Sequence, residues 1–241
     1  MAKIDEGVYF IQGQDEFIPD SHVYIIGEPS SKDLSMVDIG LAGKGAYKIR
    51  AIEKLGVELS SIKRIIMTHT HFDHIGCLPE IKKAIPGVEV WIHRKEAELI
   101  EKGDDRGVYG MNEFKNMCQM QYGIDRNAFT FTVDHTPEDG EVLEIGNMVW
   151  EVFHIPGHSM GGIALYNAVS KILIPGDVVY ADYAIGRFDL FGANARELKE
   201  SLLRLSELDV DILLPGHNQI VKGLPATYIK ETAKMWAPYL A

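Results

Sequence analysis

The sequence predicts an α/β (α+β) fold in which β-sheets of mixed direction are combined with helices. Two observations carry this prediction. Short apolar runs alternate with amphipathic helical patterns, and helices recur late in each half of the chain. The 241 residues contain no Pro/Ser-rich linker, so a single domain over 1–241 is expected. Two sheets packed face to face with helices outside would bury these patterns, although the patterns alone do not dictate that sandwich.

The strands are predicted from short runs of β-branched and aromatic residues bounded by turn residues. In chain order these runs are Val8–Ile11, Val23–Ile26, Met36–Ile39, Arg64–Met67, Val88–Ile92, Phe129–Val133, Met148–Phe153, Ile163–Asn167, Ile172–Ile174 and Ile212–Leu214.

The helices are predicted from apolar residues that recur every three to four positions and from signals at their ends. Gly56 caps the end of the first helix, Pro86-Gly87 end the second, and Asn194 with Glu197 forms a capping box. In chain order the helices are Gly45–Leu55, Ile75–Ile85, Arg94–Lys102, Met111–Tyr122, a helix carrying Leu198, Leu202 and Leu205, and Ala226–Trp236.

A helical insert is predicted near residues 94–123, where two helical patterns flank a polar, glycine-punctuated turn over 103–110. Met111, Met117 and Met120 would give this insert an adaptable apolar wall. Ordinary packing of an amphipathic helix is the alternative for each of these methionines.

The charge and composition exclude several classes of partner. The chain carries 24 Lys and Arg against 35 Asp and Glu, a formal net charge of −11, which argues against nucleic-acid binding. No apolar run approaches the roughly 18 residues that a membrane helix needs, and the N-terminus lacks an apolar targeting segment. Two cysteines, Cys77 and Cys118, are expected as buried, reduced thiols. We therefore expect a cytoplasmic protein with a small-molecule substrate and no membrane partner.

The densest cluster of possible metal ligands is His69-Thr70-His71-Phe72-Asp73-His74, directly after the predicted strand Arg64–Met67. Imidazole and carboxylate groups at this density suit a transition metal of the zinc kind. The spacing of His69 and His71 lets an extended loop aim both rings at one ion. Asp73 and His74 lie at the turn into the next helix, where they can face a second ion. A solvated polar loop is the less favoured alternative.

Three later turns each place one more candidate ligand just past a strand. They are Pro156-Gly157-His158, Pro175-Gly176-Asp177 and Pro215-Gly216-His217, and the glycine in each permits a tight turn. Each turn alone is a weak signal, because Pro-Gly-His is an ordinary turn sequence. Together with the first cluster they supply five histidines and two aspartates, the set that two metals sharing a bridging carboxylate require.

In this order the seven residues resemble the metallo-β-lactamase superfamily of binuclear metallohydrolases, from about Val8 to about Val221. The resemblance implies a four-layer αββα sandwich and two divalent metal ions, with zinc favoured and iron or manganese compatible. It also implies a division of the ligands. His69, His71 and His158 hold the first metal, Asp73, His74 and His217 hold the second, and Asp177 bridges them.

Departures from the family's branches narrow the expected activity. His74 stands where one β-lactamase class has Arg and Asp177 where it has Cys, which argues against that class. Because His71 is not Glu, the flavodiiron pattern is also disfavoured.

Tyr180, three residues after Asp177, matches a tyrosine of the lactonase branch that leans toward the substrate carbonyl. A core tyrosine within an apolar strand is the alternative. The resemblance to the lactonase and glyoxalase II-like branch implies hydrolysis of a small ester, lactone or thioester by a metal-bridging hydroxide. Asp73 and Tyr180 are its expected catalytic residues. Lactonase-like members place a lid or dimer contact at the position of the insert, so a homodimer is one expectation.

The same set of residues is also compatible with two other activities. One is an iron-dependent, persulfide dioxygenase-like oxidoreductase, and the other is a phosphodiester or phosphotriester hydrolase.

Several polar residues receive lesser roles. Arg187, in a Gly-Arg-x-Asp loop common among hydrolases of the family, is interpreted either as a salt bridge beneath the metals or as part of a surface turn. Glu96, Glu98 and Glu101 are expected on a solvated helix face. A structural role is expected for His22 and is favoured for His93, for which a contact behind a ligand is the alternative, and no ligand role is assigned to His135 or His154.

Overall fold

The computed structural model describes residues 2–14, 19–109, 114–125 and 127–240, and the chain divides into two compact units. The first unit comprises Met1–Pro137 with Glu144–Met148, and the second comprises Glu138–Leu143 with Val149–Ala241. Each unit contains most of one six-stranded sheet and its own apolar core. Two mixed sheets with interspersed helices confirm the predicted α+β class. The single domain over 1–241 stays a prediction.

The first sheet has its strands in chain order, and its last three strands run in parallel. These strands are β1 (Ala2–Asp5), β2 (Val8–Ile11), β3 (Val23–Ile26), β4 (Leu34–Val37), β5 (Ile62–Ile66) and β6 (Glu89–Trp91). Neighbours from β1 to β4 are antiparallel, whereas β4–β5 and β5–β6 are parallel. Since Val37 pairs with Ile66, the chain leaves β4 and β5 at the same edge of the sheet.

The second sheet also brings several strand ends to one edge. Its strands are β7 (Val142–Ile145), β8 (Met148–His154), β9 (Ile163–Asn167), β10 (Ile172–Ile174), β11 (Ile212–Leu213) and β12 (Val221–Lys222), in the order β12-β11-β10-β9-β8-β7. Strand β9 is antiparallel to both β8 and β10, and β10 is parallel to β11. Strands β8, β10 and β11 therefore run in the same direction and end at one edge.

The helices pack their apolar faces into the core of their own unit. In the first unit they are α1 (Gly45–Lys54), α2 (Phe72–Ile75), α3 (Leu78–Ala84), α4 (Arg94–Lys102), α5 (Arg106–Tyr109) and α6 (Phe114–Tyr122), and in the second α7 (Ala195–Leu205) and α8 (Tyr228–Trp236). Ile52 and Ile81 join the same buried cluster as the β3 residue Ile25. In the second unit, Leu202 and Ile229 belong to that unit's own buried apolar cluster. Within the described ranges, no helix is long and apolar enough to cross a membrane.

Most predicted elements are confirmed within a few residues, and the differences have local causes. Asn194 caps α7 by accepting a hydrogen bond from the Glu197 amide at 3.1 Å, as the capping box predicts. The strand predicted at Met36–Ile39 ends at Val37, because Asp38 has a left-handed φ of 56°. The helix predicted over 75–85 is instead α2 followed by α3.

The strand predicted at Phe129–Val133 is wrong, and the chain pairs with β6 just after it, at the isolated bridge between His135 and Trp91. The Val133 amide donates to the Glu101 carboxylate at 3.0 Å, and the neighbouring Asp134 accepts from the Val90 amide at 2.8 Å. Phe129 is instead a core residue without strand geometry.

The insert contains one helix more than predicted. Helix α5 lies within the stretch that was predicted as a turn over 103–110. Met120 is 88% exposed, so its side chain is not packed into the core, and the adaptable apolar wall stays a prediction. Met111, and the side chains of Met117 and Cys118, lie outside the described residues.

Candidate metal centre

The first cluster of predicted ligands lies just past β5 in the first unit. His69 and His71 have ligand atoms within 4.8 Å of each other, and so do Asp73 and His74. The ring centroids of His69 and His74 are 4.0 Å apart. Both of these imidazoles are buried, whereas the Asp73 side chain is 25% exposed. The structure thus brings all four residues of the predicted motif together.

Asp38 fixes the orientation of His74 and was not predicted as a site residue. Asp38 comes just after β4, at the edge of the sheet where β5 also ends. Its Oδ2 accepts a hydrogen bond from His74 Nδ1 at 2.8 Å. A carboxylate accepts but does not donate, so Nδ1 carries the ring proton and Nε2 keeps the lone pair. His74 Nε2 lies 4.0 Å from the carboxylate of Asp73.

The same carboxylate acts on His69 through a threonine. The Thr68 hydroxyl donates to Asp38 Oδ2 at 2.8 Å, and its oxygen lies 3.0 Å from His69 Nδ1. Since that hydroxyl has only one proton, it accepts from Nδ1, which again places the lone pair on Nε2. The Thr68 amide adds a third hydrogen bond to Asp38, at 2.8 Å. One buried carboxylate therefore sets the tautomer of two candidate ligands.

A buried ion pair supports the loop that carries these ligands. Lys48 Nζ lies 2.7 Å from Asp20 Oδ1, and both side chains are fully buried. The Asp20 carboxylate also accepts from the Leu41 amide at 2.7 Å. The next residue, Ser21, donates its amide to the Asp73 carbonyl at 3.0 Å. The ion pair thus anchors the segment that holds the backbone of Asp73.

The second cluster lies past the strand ends of the second sheet. His158, Asp177 and His217 follow β8, β10 and β11, the three strands that end at one edge. His158 Nε2 is 3.7 Å and His217 Nε2 is 3.5 Å from Asp177 Oδ2. Tetrahedral zinc with bonds of 2.0–2.2 Å separates adjacent ligand atoms by about 3.3–3.6 Å. The spacing within this cluster is therefore close to that of ligands around a metal.

The Gly186–Asp189 loop orients His158 through its backbone. His158 Nδ1 donates to the Arg187 carbonyl at 2.7 Å, so the lone pair of this ring is also on Nε2. A Cβ on Gly186 would overlap the Asp177 carbonyl oxygen and come within 2.8 Å of His158 Nδ1, so only glycine lets the loop lie this close. The Arg187 guanidinium is 67% exposed and pairs with Asp189, whose pKa it lowers. The Arg187 side chain therefore belongs to a surface turn, and its interpretation as a salt bridge beneath the metals is wrong.

Tyr180 lies beside a candidate ligand. Its ring centroid is 6.3 Å from that of His217, with the rings at 66°. The Tyr180 side chain is 9% exposed, so it is almost completely buried next to this cluster. This position is compatible with the predicted contact to a substrate carbonyl.

Glu96 departs from the prediction of a solvated helix face. Its side chain is 3% exposed and lies 3.2 Å from the Thr70 hydroxyl, which also contacts the Gly107 carbonyl. Thr70 lies between His69 and His71, so this carboxylate supports the ligand loop from α4. The amphipathic pattern of α4 gives no sign of this contact, which depends on tertiary packing.

The remaining histidines make structural contacts, as expected for His22 and favoured for His93. His22 accepts from the Gly13 amide, His93 caps α4, His135 packs against Trp91, and His154 lies at hydrogen-bond distance from the Met160 carbonyl. None of these four belongs to a metal-ligand group among the described residues.

The donor chemistry of both clusters fits divalent transition metals. Each cluster combines imidazole nitrogens with carboxylate oxygen, the ligands that zinc and iron accept in proteins. In His69, His74 and His158 the Nδ1 atom faces a hydrogen-bond acceptor, which is how metal-binding histidines are held in many proteins.

Comparison with known proteins decides the family. A family model described as the metallo-beta-lactamase superfamily matches residues 19–217. The chain belongs to the metallo-β-lactamase superfamily. The predicted resemblance is therefore confirmed.

Individual members of the superfamily show how far the similarity extends. The probable metallo-hydrolase YflN of Bacillus subtilis is 29% identical over 227 residues, covering 86% of this chain and 82% of YflN. The hydroxyacylglutathione hydrolase GloC of Haemophilus influenzae is 28% identical, covering 77% of this chain and 80% of GloC. These relatives and the family match confirm the prediction of a metal-dependent hydrolase.

Solved structures agree on the fold. BJP-1, a subclass B3 metallo-β-lactamase of Bradyrhizobium japonicum, superposes with a TM-score of 0.74 at 19% identity. The superposition covers 99% of this chain and 90% of BJP-1. At this level of identity the likeness confirms the metallo-β-lactamase fold and carries no argument about substrate.

Proposed function

We propose that this superfamily member hydrolyses small esters, lactones or thioesters at a pair of divalent metal ions, zinc being the native metal. The proposed ligands are His69, His71 and His158 for one ion and Asp73, His74 and His217 for the other, with Asp177 shared. The observation that carries the proposal is the set of Nδ1 contacts, which gives three imidazoles the same ligand atom.

Family membership supports treating the two clusters as one ligand set. The matched range of 19–217 contains all seven residues, and each cluster converges within its own unit. When bound, such ions lower the pKa of water toward 7 and polarise a carbonyl oxygen.

The residues of this chain supply the remaining functions. Asp73 is the partly exposed carboxylate of the set, suited to accept the proton released when water adds to the carbonyl. The Tyr180 hydroxyl would donate a hydrogen bond to the carbonyl oxygen as negative charge develops on it. Asp38 and the Arg187 carbonyl would hold the imidazoles in place, so little reorganisation is needed during the reaction.

A thioester is the substrate class with the most direct support. GloC is named for hydrolysis of hydroxyacylglutathione, which is a thioester, and its similarity spans 77% of this chain. The first substrates to assay are therefore a hydroxyacylglutathione, a short-chain lactone and a small aryl ester.

Asp177→Asn tests the proposal most simply. Hydrolysis should require added or retained metal, stop with a chelator, and fall by more than about a hundredfold in the variant, beyond the usual loss of an outer partner. Asp209→Asn is the matched control, because Asp209 is a 70% exposed carboxylate paired with Lys171 in the same unit. Full activity of Asp177→Asn would contradict a shared-carboxylate metal pair.

A further inference from the structure

A strained turn follows Tyr180 in the second unit. Asp182 and Tyr183 have consecutive left-handed φ values of 59° and 57°. Both residues carry a Cβ, which makes this conformation sterically unfavourable, and consecutive occurrences are rarer still. Such a turn persists only where surrounding contacts hold it, and backbone strain of this kind concentrates at functional sites.

Helix α8 provides those contacts through two aromatic side chains. The Tyr228 hydroxyl accepts from the Tyr183 amide at 2.7 Å and donates to the Tyr180 carbonyl at 2.9 Å. Its ring stacks on the Tyr183 ring with centroids 4.5 Å apart. The Trp236 indole donates to the Tyr183 carbonyl at 2.8 Å. The backbone polar groups on both sides of the strained turn are thus bound by one helix.

We propose that Tyr228 is a positioning residue that fixes Tyr180 beside His217. Its hydroxyl joins the carbonyl of Tyr180 to the amide of Tyr183, so it determines how the chain leaves Tyr180. The Tyr180 ring in turn stands 6.3 Å from the ring of His217. The catalytic importance of this arrangement rests on the proposed function, whereas the arrangement itself does not.

The chemistry of the hydroxyl suits this role. Tyr228 is only 6% exposed, and burial raises the pKa of its hydroxyl above the ordinary value. The group therefore keeps the proton that it donates to the Tyr180 carbonyl throughout the neutral range. Phenylalanine at this position would keep the ring stack on Tyr183 and remove both hydrogen bonds.

A direct structural readout is the nuclear magnetic resonance signal of the His217 imidazole in zinc-loaded, full-length protein with ¹³C-labelled histidine. Tyr228→Phe should shift this signal in the direction seen with Tyr180→Ala, because the ring current of Tyr180 moves. Tyr166→Phe is the matched control, since the Tyr166 hydroxyl makes a similar bond of 2.8 Å to the Asp209 carbonyl. That variant should leave the His217 signal unchanged.

A double-mutant cycle separates positioning from general support of the fold. With a hydroxyacylglutathione as substrate, Tyr228→Phe should lower kcat by about tenfold to a hundredfold, as loss of outer hydrogen bonds does elsewhere. In a Tyr180→Phe background the same substitution should have almost no further effect. A merely structural role would lower kcat by the same factor in both backgrounds.

The outcomes distinguish this inference from the proposed function. An unshifted His217 signal in Tyr228→Phe, or multiplicative losses in the cycle, overturns the positioning role. If the wild type hydrolyses none of the substrates, the proposed function fails while the His217 signal still decides the positioning. If Tyr228→Phe does not fold, Trp236→Phe removes the other bond to the turn and should shift the signal in the same direction.

Discussion

Asp38→Asn tests whether one buried carboxylate prepares two histidines for metal binding. Asp38 accepts from the Thr68 amide on Oδ1, and from the Thr68 hydroxyl and His74 Nδ1 on Oδ2, each at 2.8 Å. Asparagine replaces one of these oxygens with an NH₂ donor. At the Oδ1 position that donor faces the Thr68 amide, and at the Oδ2 position it faces the His74 ring proton. Either placement turns a strong hydrogen bond into a contact between two donors.

The expected losses of zinc affinity and of folding stability follow from the contacts that the substitution disrupts. Losing an outer partner of a metal-binding histidine typically costs about 10- to 100-fold in metal affinity, or about 1.4–2.7 kcal/mol. Loss of one hydrogen bond to a charged group also lowers the free energy of unfolding by about 1.5–3 kcal/mol. We therefore expect weaker zinc binding together with a lower thermal midpoint in the metal-free protein.

The assay is a zinc titration against a chromophoric chelator, with thermal unfolding of both metal-free and zinc-loaded protein. Asp33→Asn is the matched control, because Asp33 belongs to the same unit and pairs with Arg64 at 2.6 Å while its side chain is 39% exposed. It should bind zinc as the wild type does. Unchanged zinc affinity in Asp38→Asn would refute the claim that this carboxylate orients the candidate ligands.

Three further predictions concern residues around the clusters. Lys48→Met leaves the buried Asp20 carboxylate without its cationic partner and should lower the free energy of unfolding by about 3–5 kcal/mol in denaturant titrations, whereas Lys171→Met at an exposed pair should not change the midpoint. Gly186→Ala should weaken zinc binding, because the new Cβ would overlap the Asp177 carbonyl oxygen and come within 2.8 Å of His158 Nδ1, and wild-type affinity would contradict that packing. Burial raises the pKa of Cys77 to about 12, so peptide mapping should find this thiol unalkylated by iodoacetamide at pH 8 until denaturant is added, and labelling of the native protein would disprove its burial.

The candidate ligands were predictable because each segment that carries them comes after the end of a strand. Strands that run in the same direction end at the same edge of a sheet. Residues such as His158 and Asp177 therefore meet although they are distant in sequence. The dense His69–His74 run needs even less tertiary information, since a single loop brings its side chains together. Sequence order and spacing were therefore sufficient to nominate both clusters.

The residues behind the ligands were not predictable in the same way. Asp38 was included in a predicted strand, and only the parallel pairing of β4 with β5 shows that it faces Thr68 and His74. Glu96 follows a solvated charge pattern, yet packing of α4 buries it against Thr70. Arg187 contributes its main-chain carbonyl, a group that every residue type has, so side-chain chemistry gives no signal for it.

Metal content of the purified protein tests the central claim most directly. The protein should be prepared without added metal and analysed for elements per chain, alongside Asp177→Asn. We expect about two zinc ions per chain in the wild type and fewer in the variant, because a shared carboxylate is lost. About one iron per chain, or metal content that Asp177→Asn does not change, would contradict the proposed metal pair.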